Sequence, residues 1–176
     1  MANPRVIVDG YNLIHALPEL VRLVDADMAR ARDRLVAYLS EFVARRNVEV
    51  TVVFDGRGPQ FAPHNSSRVA GVEIVFSRPP HDADQTIIAL LQRNTRPRSV
   101  TIVTSDASVA RSARDYGAKT ISSHAFVRLL AALDGRGPSG REQEGLSDKP
   151  EMTPGDLAEW EEYMKSRGVD TTRGWF

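Results

Sequence analysis

The sequence predicts an α/β fold: a three-layer α/β/α sandwich in which helices cover both faces of a central, mostly parallel sheet. Short β-branched segments alternate along the chain with segments whose apolar residues recur every three or four positions. This alternation is typical of parallel sheets, whose strands are joined by crossover helices. A chain of 176 residues is also long enough to bury a core within one domain.

The N-terminal third of the chain predicts one strand and one long helix. A strand is expected at residues 5–8, where a short apolar run is closed by an Asp-Gly pair. Residues 12–20 are expected to form a short helical turn or a loop. A helix is predicted over about 27–46, with Asp25 or Asp27 as its cap and arginines opposite its apolar stripe.

Two further strands and a helix are predicted in the middle of the chain. The second strand covers residues 48–54 and again ends in Asp-Gly. Residues 57–70 have little apolar content and several Gly, Pro, Asn and Ser, so we expect a mobile loop. A third strand is predicted at 71–76, and residues 81–84 open the helix that follows it.

The pattern continues to residue 133. A fourth strand is predicted at 100–104, and the helix after it ends at Tyr116, with Gly117 as its C-terminal cap. A short fifth strand is expected at 119–121. The last helix of the sheet domain begins at Ser122 or Ser123.

The composition changes after residue 134. We assign residues 1–134 to the sheet domain and residues 135–152, which are rich in Gly, Pro, Ser and charge, to a flexible linker. Residues 153–168 predict an amphipathic helix with Trp160 on its apolar stripe, and residues 169–176 form a tail.

Composition narrows the functional classes. The chain has no cysteine, which excludes disulfides, thiolate zinc sites and cysteine nucleophiles. No apolar run approaches the length of a membrane span, and the chain enters its first strand without a signal peptide, so we expect a cytoplasmic protein. Residues 1–134 hold 17 Lys and Arg against 14 Asp and Glu. If several of those acids share one pocket, the remaining surface of the domain is basic.

Acidic residues follow four consecutive predicted strands. Ligands of open α/β sheets bind at the carboxyl ends of the strands, where these residues would meet. Each acid alone has a structural explanation, since Asp-Gly is a common turn pair and Asp is a common helix cap. Together they form the candidate site: Asp9, Asp55, Asp82, Asp84 and Asp106.

Several carboxylates at one sheet edge favour a hard divalent cation. Neighbouring carboxylates repel each other unless a cation is present, and Mg²⁺ or Mn²⁺ prefers oxygen ligands. Such sites most often perform phosphoryl-oxygen chemistry. Asn12 either holds water or a phosphate oxygen there, or merely closes an Asx turn. Asp82 and Asp84 lie about 200° apart on a helix, so we expect one to be a cap and the other a ligand.

Four motifs resemble the YacP-like branch of the NYN domain family: residues 8–14 (VDGYNLI), 53–56 (VFDG), 83–85 (ADQ) and 104–106 (TSD). The resemblance covers about residues 4–133. It implies a PIN-like fold and a metal-dependent endoribonuclease acting on RNA engaged with the translation machinery. By motif position it implies that the metal and catalytic residues are Asp9, Asn12, Asp84 and Asp106, with Asp55 as a further metal ligand.

The chain departs from that family pattern at one position. Gln85 stands where the family usually carries a glutamate, and this removes an auxiliary carboxylate. The candidate RNA contacts near the strand ends are Arg57, Arg68, Arg78 and Arg111, with Tyr11 as a base-stacking residue. For each of them a solvated surface residue or simple packing is the alternative.

Three functions are compatible with these residues. The first is a Mg²⁺- or Mn²⁺-dependent endoribonuclease. The second is a phosphohydrolase of small phosphate esters, which would not need the arginines. The third is a non-catalytic RNA- or ribosome-binding module, an interpretation that Gln85 keeps open. The sequence predicts no membrane partner and leaves the oligomeric state undetermined.

Overall fold

A computed structural model describes residues 3–56 and 66–133 of the chain. Within these ranges, one sheet contains six strands: β1 (Arg5–Asp9), β2 (Glu49–Phe54), β3 (Ser66–Val69), β4 (Val72–Phe76), β5 (Val100–Val103) and β6 (Lys119–Ile121). The strand order is β3-β4-β2-β1-β5-β6. The β3–β4 pair is antiparallel and every other neighbouring pair is parallel.

Helices cover both faces of this sheet. The described residues form α1 (Gly10–Ala16), α2 (Pro18–Val24), α3 (Met28–Arg46), α4 (Ala83–Gln92), α5 (Ala107–Asp115) and α6 (Ser123–Leu133). One core of 22 buried residues joins the sheet to α1, α2, α3 and α6, and a second core of nine joins it to α4 and α5. The predicted three-layer α/β/α sandwich is therefore confirmed. None of the described helices combines the length and the apolar character needed to cross a bilayer.

The register of β1 fixes where the functional residues meet. β1 lies inside the sheet between β2 and β5, with Asp9 opposite Val53 and Val8 opposite Val103. Because the three strands are parallel and pair without a large offset in register, their carboxyl ends lie at the same edge of the sheet. We call this the carboxylate edge, and it carries Asp9, Asp55, Asp84 and Asp106.

The predicted loop over residues 57–70 is wrong at its C-terminal end. Residues 66–69 form β3, which pairs in antiparallel fashion with β4 at one edge of the sheet. Every residue of β3 is exposed, so an edge strand made of Ser-Ser-Arg-Val carries no apolar signal. The rest of that segment, residues 57–65, lies outside the described residues, as do the predicted linker, C-terminal helix and tail at 135–176.

Residues 12–20, expected as a helical turn or a loop, belong to two consecutive short helices. Asp9 caps α1, and α2 restarts at Pro18, which suits a first helical position because it needs no amide donor there. Asp27, one of the two proposed caps, accepts a hydrogen bond from the Arg30 amide at the start of α3.

The glycine after Asp9 is required by close packing. A Cβ atom on Gly10 would overlap the Phe54 ring and lie 2.9 Å from the Val53 carbonyl oxygen. Gly56, the glycine of the second Asp-Gly pair, is packed equally tightly, since a Cβ atom there would overlap the backbone carbonyl of Ser77. In both pairs the aspartate is delivered to the edge because the next residue has no side chain.

We expect Gly10→Ala to lower the free energy of unfolding by about 3 kcal/mol, because overpacking a rigid core forces the ring and the backbone apart. Urea denaturation measures this loss. Gly117→Ala is the matched control, because a Cβ there would lie 3.7 Å from Arg98 Cγ and only the positive φ of 85° opposes it. That strain costs about 1 kcal/mol. An equal or smaller loss at Gly10 would contradict the packing argument.

Candidate active site

The carboxylate of Asp9 lies at the point where β1 turns into α1. Asp9 is 7% exposed. Its Oδ1 accepts a hydrogen bond from the Asn12 amide at 3.4 Å, and its Oδ2 accepts one from the Thr104 hydroxyl at 3.2 Å. Both carboxylate oxygens are therefore held by the protein, one by the helix that Asp9 caps and one by the end of β5.

Thr104 connects two of the aspartates. While its hydroxyl donates to Asp9, the same oxygen accepts a hydrogen bond from the Asp106 amide at 3.0 Å. Thr104 is 2% exposed, so this bridge is shielded from water. The hydroxyl fixes the turn that presents Asp106 relative to the end of β1.

Asp106 caps α5. Its Oδ1 accepts hydrogen bonds from the Ser108 and Val109 amides at 2.7 and 3.1 Å. Because Oδ1 accepts both amides, Oδ2 remains available to a ligand. The cap also places the carboxylate at the positive end of the α5 dipole.

Asn12 joins three segments of the chain through one oxygen. Its Oδ1 accepts a hydrogen bond from the Ser105 amide at 2.8 Å and another from the Ser123 hydroxyl at 2.6 Å. The Ser123 amide in turn donates to Ser105 Oγ at 3.0 Å. The side-chain carbonyl is thus committed to the fold, and only the Nδ2 group of Asn12 is left for water or phosphate.

The two candidate aspartates of α4 have different environments. Asp82 caps the helix, with its Oδ1 accepting from the Gln85 amide at 2.9 Å, while Gln85 Oε1 accepts from the Asp82 amide at 3.2 Å. This reciprocal pair is a capping box. Asp84 is exposed in the first turn and is coupled electrostatically to Asp106 and Asp55.

Asp55 lies half-buried just after β2. Its Oδ1 accepts a hydrogen bond from the Ser77 hydroxyl at 3.0 Å, and Ser77 Oγ accepts one from the Gly56 amide at the same distance. Ser77 follows β4, so this contact ties two neighbouring strand ends together. The position of Asp55 suits a supporting carboxylate at the rim of the carboxylate edge.

Burial and mutual repulsion raise the pKa values of two aspartates at the carboxylate edge. Burial raises the pKa of Asp9 from its ordinary value of 3.8 to about 6; hydrogen bonds from Asn12 and Thr104 oppose the rise, and the Asp84 and Asp106 charges add to it. Partial desolvation also raises the pKa of Asp84, followed by repulsion from Asp106, Asp82 and Asp55. Because Asp84 is exposed, water screens this repulsion and its effect on stability is small.

The oxygen donors at this edge fit the chemistry of a magnesium or manganese ion that keeps most of its water ligands. Across residues 3–56 and 66–133, no three His, Cys, Asp or Glu side chains converge closely enough to hold one cation directly. Mg²⁺, however, usually keeps several waters and binds one or two carboxylates. Of the aspartates at the edge, Asp9 and Asp106 are the pair that the Thr104 hydroxyl joins.

The predicted RNA contacts are dispersed. Tyr11 packs against Phe54, with ring centroids 5.3 Å apart, and its hydroxyl accepts a hydrogen bond from Arg32. Arg68 is exposed on β3, three strands from β1 and opposite Glu73. The other three lie elsewhere: exposed Arg78 follows β4, exposed Arg111 is on α5, and Arg57 is outside the described residues.

Sequence reasoning missed the hydroxyl groups that organise this site. Thr104, Ser105 and Ser123 lie between or beside the motif aspartates, and each hydrogen-bonds a site residue or another of the three. The one signal in the sequence was the position of Thr104-Ser105 directly before Asp106. Ser123 is 111 residues from Asn12 along the chain, and no local pattern connects the two.

Comparisons with known proteins show the family to which the chain belongs. The YacP-like NYN domain family profile matches residues 6–164. The chain is 29% identical to the Bacillus subtilis (strain 168) protein YacP, described as uncharacterized, over 92% of each chain. The crystal structure of Rae1 (YacP) from Bacillus subtilis matches with a TM-score of 0.60 and 28% identity, covering 96% of this chain and 93% of that one.

The crystal structure of a mutant of Rae1 (YacP) from the same organism matches with a TM-score of 0.63 and 28% identity, over 75% of this chain and 77% of the other. NYN domains are nuclease-like and have a PIN-like fold. The resemblance deduced from the four sequence motifs is therefore confirmed.

We expect Asp9→Asn to stabilise the domain at neutral pH in the presence of EDTA. The pKa of Asp9 is about 6 in the folded state, against an ordinary value of 3.8. Above pH 6 the folded state must therefore hold an unfavourable charge, and the full destabilisation is present. The penalty is up to about 3 kcal/mol and disappears as the pH falls toward 4, because the folded state protonates first. Urea unfolding at pH 4, 5.5 and 7.5 measures the difference between variant and wild type.

Asp33→Asn, which removes a charge from an exposed position on α3, is the control for the loss of a carboxylate elsewhere. A variant at Asp9 that is less stable than wild type at pH 7.5 would show that the two hydrogen bonds outweigh the desolvation of the charge.

Proposed function

We propose that this chain, which belongs to the YacP-like NYN domain family, is a metal-dependent endoribonuclease that hydrolyses RNA phosphodiester bonds. Its cofactor is Mg²⁺ or Mn²⁺. Its substrate is ribosome-associated RNA in the cytoplasm, as the family resemblance implies.

One observation carries the proposal: a buried aspartate is kept at the carboxylate edge although its charge destabilises the fold. Asp9 is desolvated, and the charges of Asp84 and Asp106 add to the rise of its pKa. A residue with a purely structural role could be a neutral Asn or Ser, which cap helices equally well. A divalent cation would reverse the repulsion, so the arrangement gains stability when a cation binds.

The position of each aspartate at the carboxylate edge indicates its proposed role. Asp9 and Asp106 are the proposed metal-binding pair, since the Thr104 hydroxyl fixes one relative to the other. Asp84 and Asp55 extend the negative field of the edge and would hold water around the cation. When bound, the cation supplies an activated water and neutralises charge on the leaving oxygen.

Asn12 orients rather than ligates. Its carbonyl oxygen is occupied by Ser105 and Ser123, so its Nδ2 group is the part that donates to an attacking water or a phosphate oxygen. The positive ends of α4 and α5 also face this edge and favour the charge of a phosphate. These groups are fixed before substrate arrives, which reduces the reorganisation needed for attack.

The proposal is tested by incubating wild type, Asp9→Asn and Asp106→Asn with a long RNA and Mg²⁺, Mn²⁺ or EDTA. We expect wild-type cleavage with either metal and none with EDTA. Loss of a metal ligand should reduce the rate by at least about 100-fold, because even outer-shell partners contribute 10–100-fold. Asp33→Asn should cleave as wild type does. Metal-dependent cleavage that persists in Asp9→Asn would refute the proposed site.

The same assay distinguishes the two other functions. Hydrolysis of nucleotides or sugar phosphates without cleavage of RNA would identify a small-molecule phosphohydrolase. Binding of RNA without cleavage under any metal would identify a non-catalytic module. For the ribosome, one transcript is compared in a cell-free translation reaction with and without an inhibitor of initiation, and we expect cleavage to fall when initiation is blocked.

We expect Gln85→Glu to change the cleavage rate by no more than about twofold, the usual range for exposed positions. Gln85 already completes the capping box with Asp82, and glutamate completes the same box equally well. Single-turnover cleavage measures the effect. Gln85→Ala is the comparison, since it removes half of the box and should lower stability by about 0.5–1 kcal/mol. A rise in rate of about tenfold or more in Gln85→Glu would show that the missing acid is a ligand.

A further inference from the structure

A second charged surface lies at the opposite edge of the sheet. The ends of α4 and α5, the turn before β5 and the start of β6 meet there. We call this surface the amino-edge patch: Arg93, Arg96, Arg98, Arg114, Tyr116 and Lys119. Among residues 92–99 and 114–119, which carry the patch, Asp115 is the only acid.

Side-chain contacts join the segments that carry the patch. Gln92, the last residue of α4, donates a hydrogen bond to the Tyr116 hydroxyl at 2.6 Å. The Arg98 side chain passes close to Gly117. A Cβ atom added to Gly117 would lie 3.7 Å from Arg98 Cγ. Arg114 donates to the Thr120 hydroxyl at 3.4 Å. The four segments therefore form one surface.

The turn that carries Arg96 is ordered by its own backbone contacts. The Arg96 amide donates to Asn94 Oδ1 at 2.9 Å, and the Ser99 hydroxyl donates to the Arg96 carbonyl at 2.7 Å. These bonds fix the backbone and leave the guanidinium exposed. An arginine whose backbone is already ordered loses less conformational entropy when it binds a phosphate.

Helix stability explains only part of this charge. Arg93 and Arg114 lie at the C-terminal ends of α4 and α5, where cations interact favourably with the helix dipole. Arg96 and Lys119 lie outside the helices, so this explanation does not extend to them. Next to the patch, Arg5 and Glu49 form an ion pair of 2.8 Å and add no net charge.

An exposed aromatic ring completes the surface. Tyr116 is 46% exposed, and Val21 and Val69 are the other large hydrophobic residues that are exposed in the described chain. Arginines beside an exposed ring are the combination that binds nucleic acid strands, through phosphate contacts and base stacking. The α2–α3 surface differs, since its groove is lined by Glu19 and Asp33 as well as Arg30 and Arg34.

We infer that the amino-edge patch binds RNA at a segment remote from the cleaved bond. The inference rests on the proposed function, because it assigns a second contact to the same substrate. β5 alone has four residues, so the patch and the carboxylate edge are separated by at least about 13 Å. An RNA must therefore be long enough to pass around the α4–α5 face before both sites act on it.

The test uses Asp9→Asn as the parent, so that RNA is bound and not cleaved. In this background Arg93→Gln, Arg96→Gln and Arg98→Gln are combined, and the affinity for a transcript is measured over a range of salt. Three lost phosphate contacts should reduce the slope of log K against log salt by about 2. An RNA of about 4 nucleotides, a small site for single strands, cannot reach both sites at once, so its affinity should fall less in the triple variant than that of the transcript.

Arg22→Gln, Arg30→Gln and Arg34→Gln combined are the matched control, since these three arginines are exposed on the α2–α3 surface. It should bind as the parent does. If the triple variant unfolds, Arg96→Gln alone is used, because the hydrogen bonds of that residue come from its backbone. The single change should reduce the salt slope by about 0.7.

Unchanged transcript binding in the patch variants would overturn the inference, as would a parent that binds no RNA. Equal competition by polyglutamate would assign the patch to an acidic protein and overturn it as well. Wild-type cleavage is measured in parallel. Patch-dependent binding without any cleavage would refute the proposed function and leave the patch standing, whereas cleavage with patch-independent binding would refute the patch alone.

Discussion

The carboxylate of Asp9 is the constraint on which the site depends. It is buried where β1 meets α1, and its two oxygens are satisfied by groups from different parts of the chain. Burying a charge is tolerated only where such partners are supplied. The turn after β5 must therefore bring Thr104 to Asp9, and the same turn presents Asp106. The position of one charge thus determines the position of another.

A second set of hydrogen bonds makes this arrangement rigid. The side-chain oxygen of Asn12 ties α1 to the end of β5 and to the start of α6, and Ser123 at that start is fully buried. A residue that the sequence predicts as a catalytic group or a simple turn thus also serves as a cross-link of the fold. Buried polar networks of this kind specify one arrangement because each partner lost leaves an unsatisfied group.

The sequence predicted the strands and helices that have a strong apolar period, and it predicted that the aspartates follow parallel strands. Those features are local, so periodicity and turn chemistry reveal them. It failed for β3, whose four residues are all exposed and therefore show no apolar alternation. It also missed the contact of Ser123 with Asn12 and that of Thr104 with Asp9, because contacts across 111 and 95 residues leave no local pattern. Asp82 and Gln85 follow the capping-box pattern, so the sequence alone contained that signal.

The two cores of unequal size affect which part of the molecule opens first. Among the described residues, α4 and α5 share a core of nine buried residues, whereas the helices on the other face share one of 22. Cooperative units with fewer buried contacts open at lower free energy than the rest of a protein. Asp84 and Asp106 both belong to the smaller layer, and Asp9 belongs to the sheet. Moderate heating would therefore dismantle the carboxylate edge while most of the protected amides of β1 and α3 still resist hydrogen exchange, so the site and the fold would have different thermal limits.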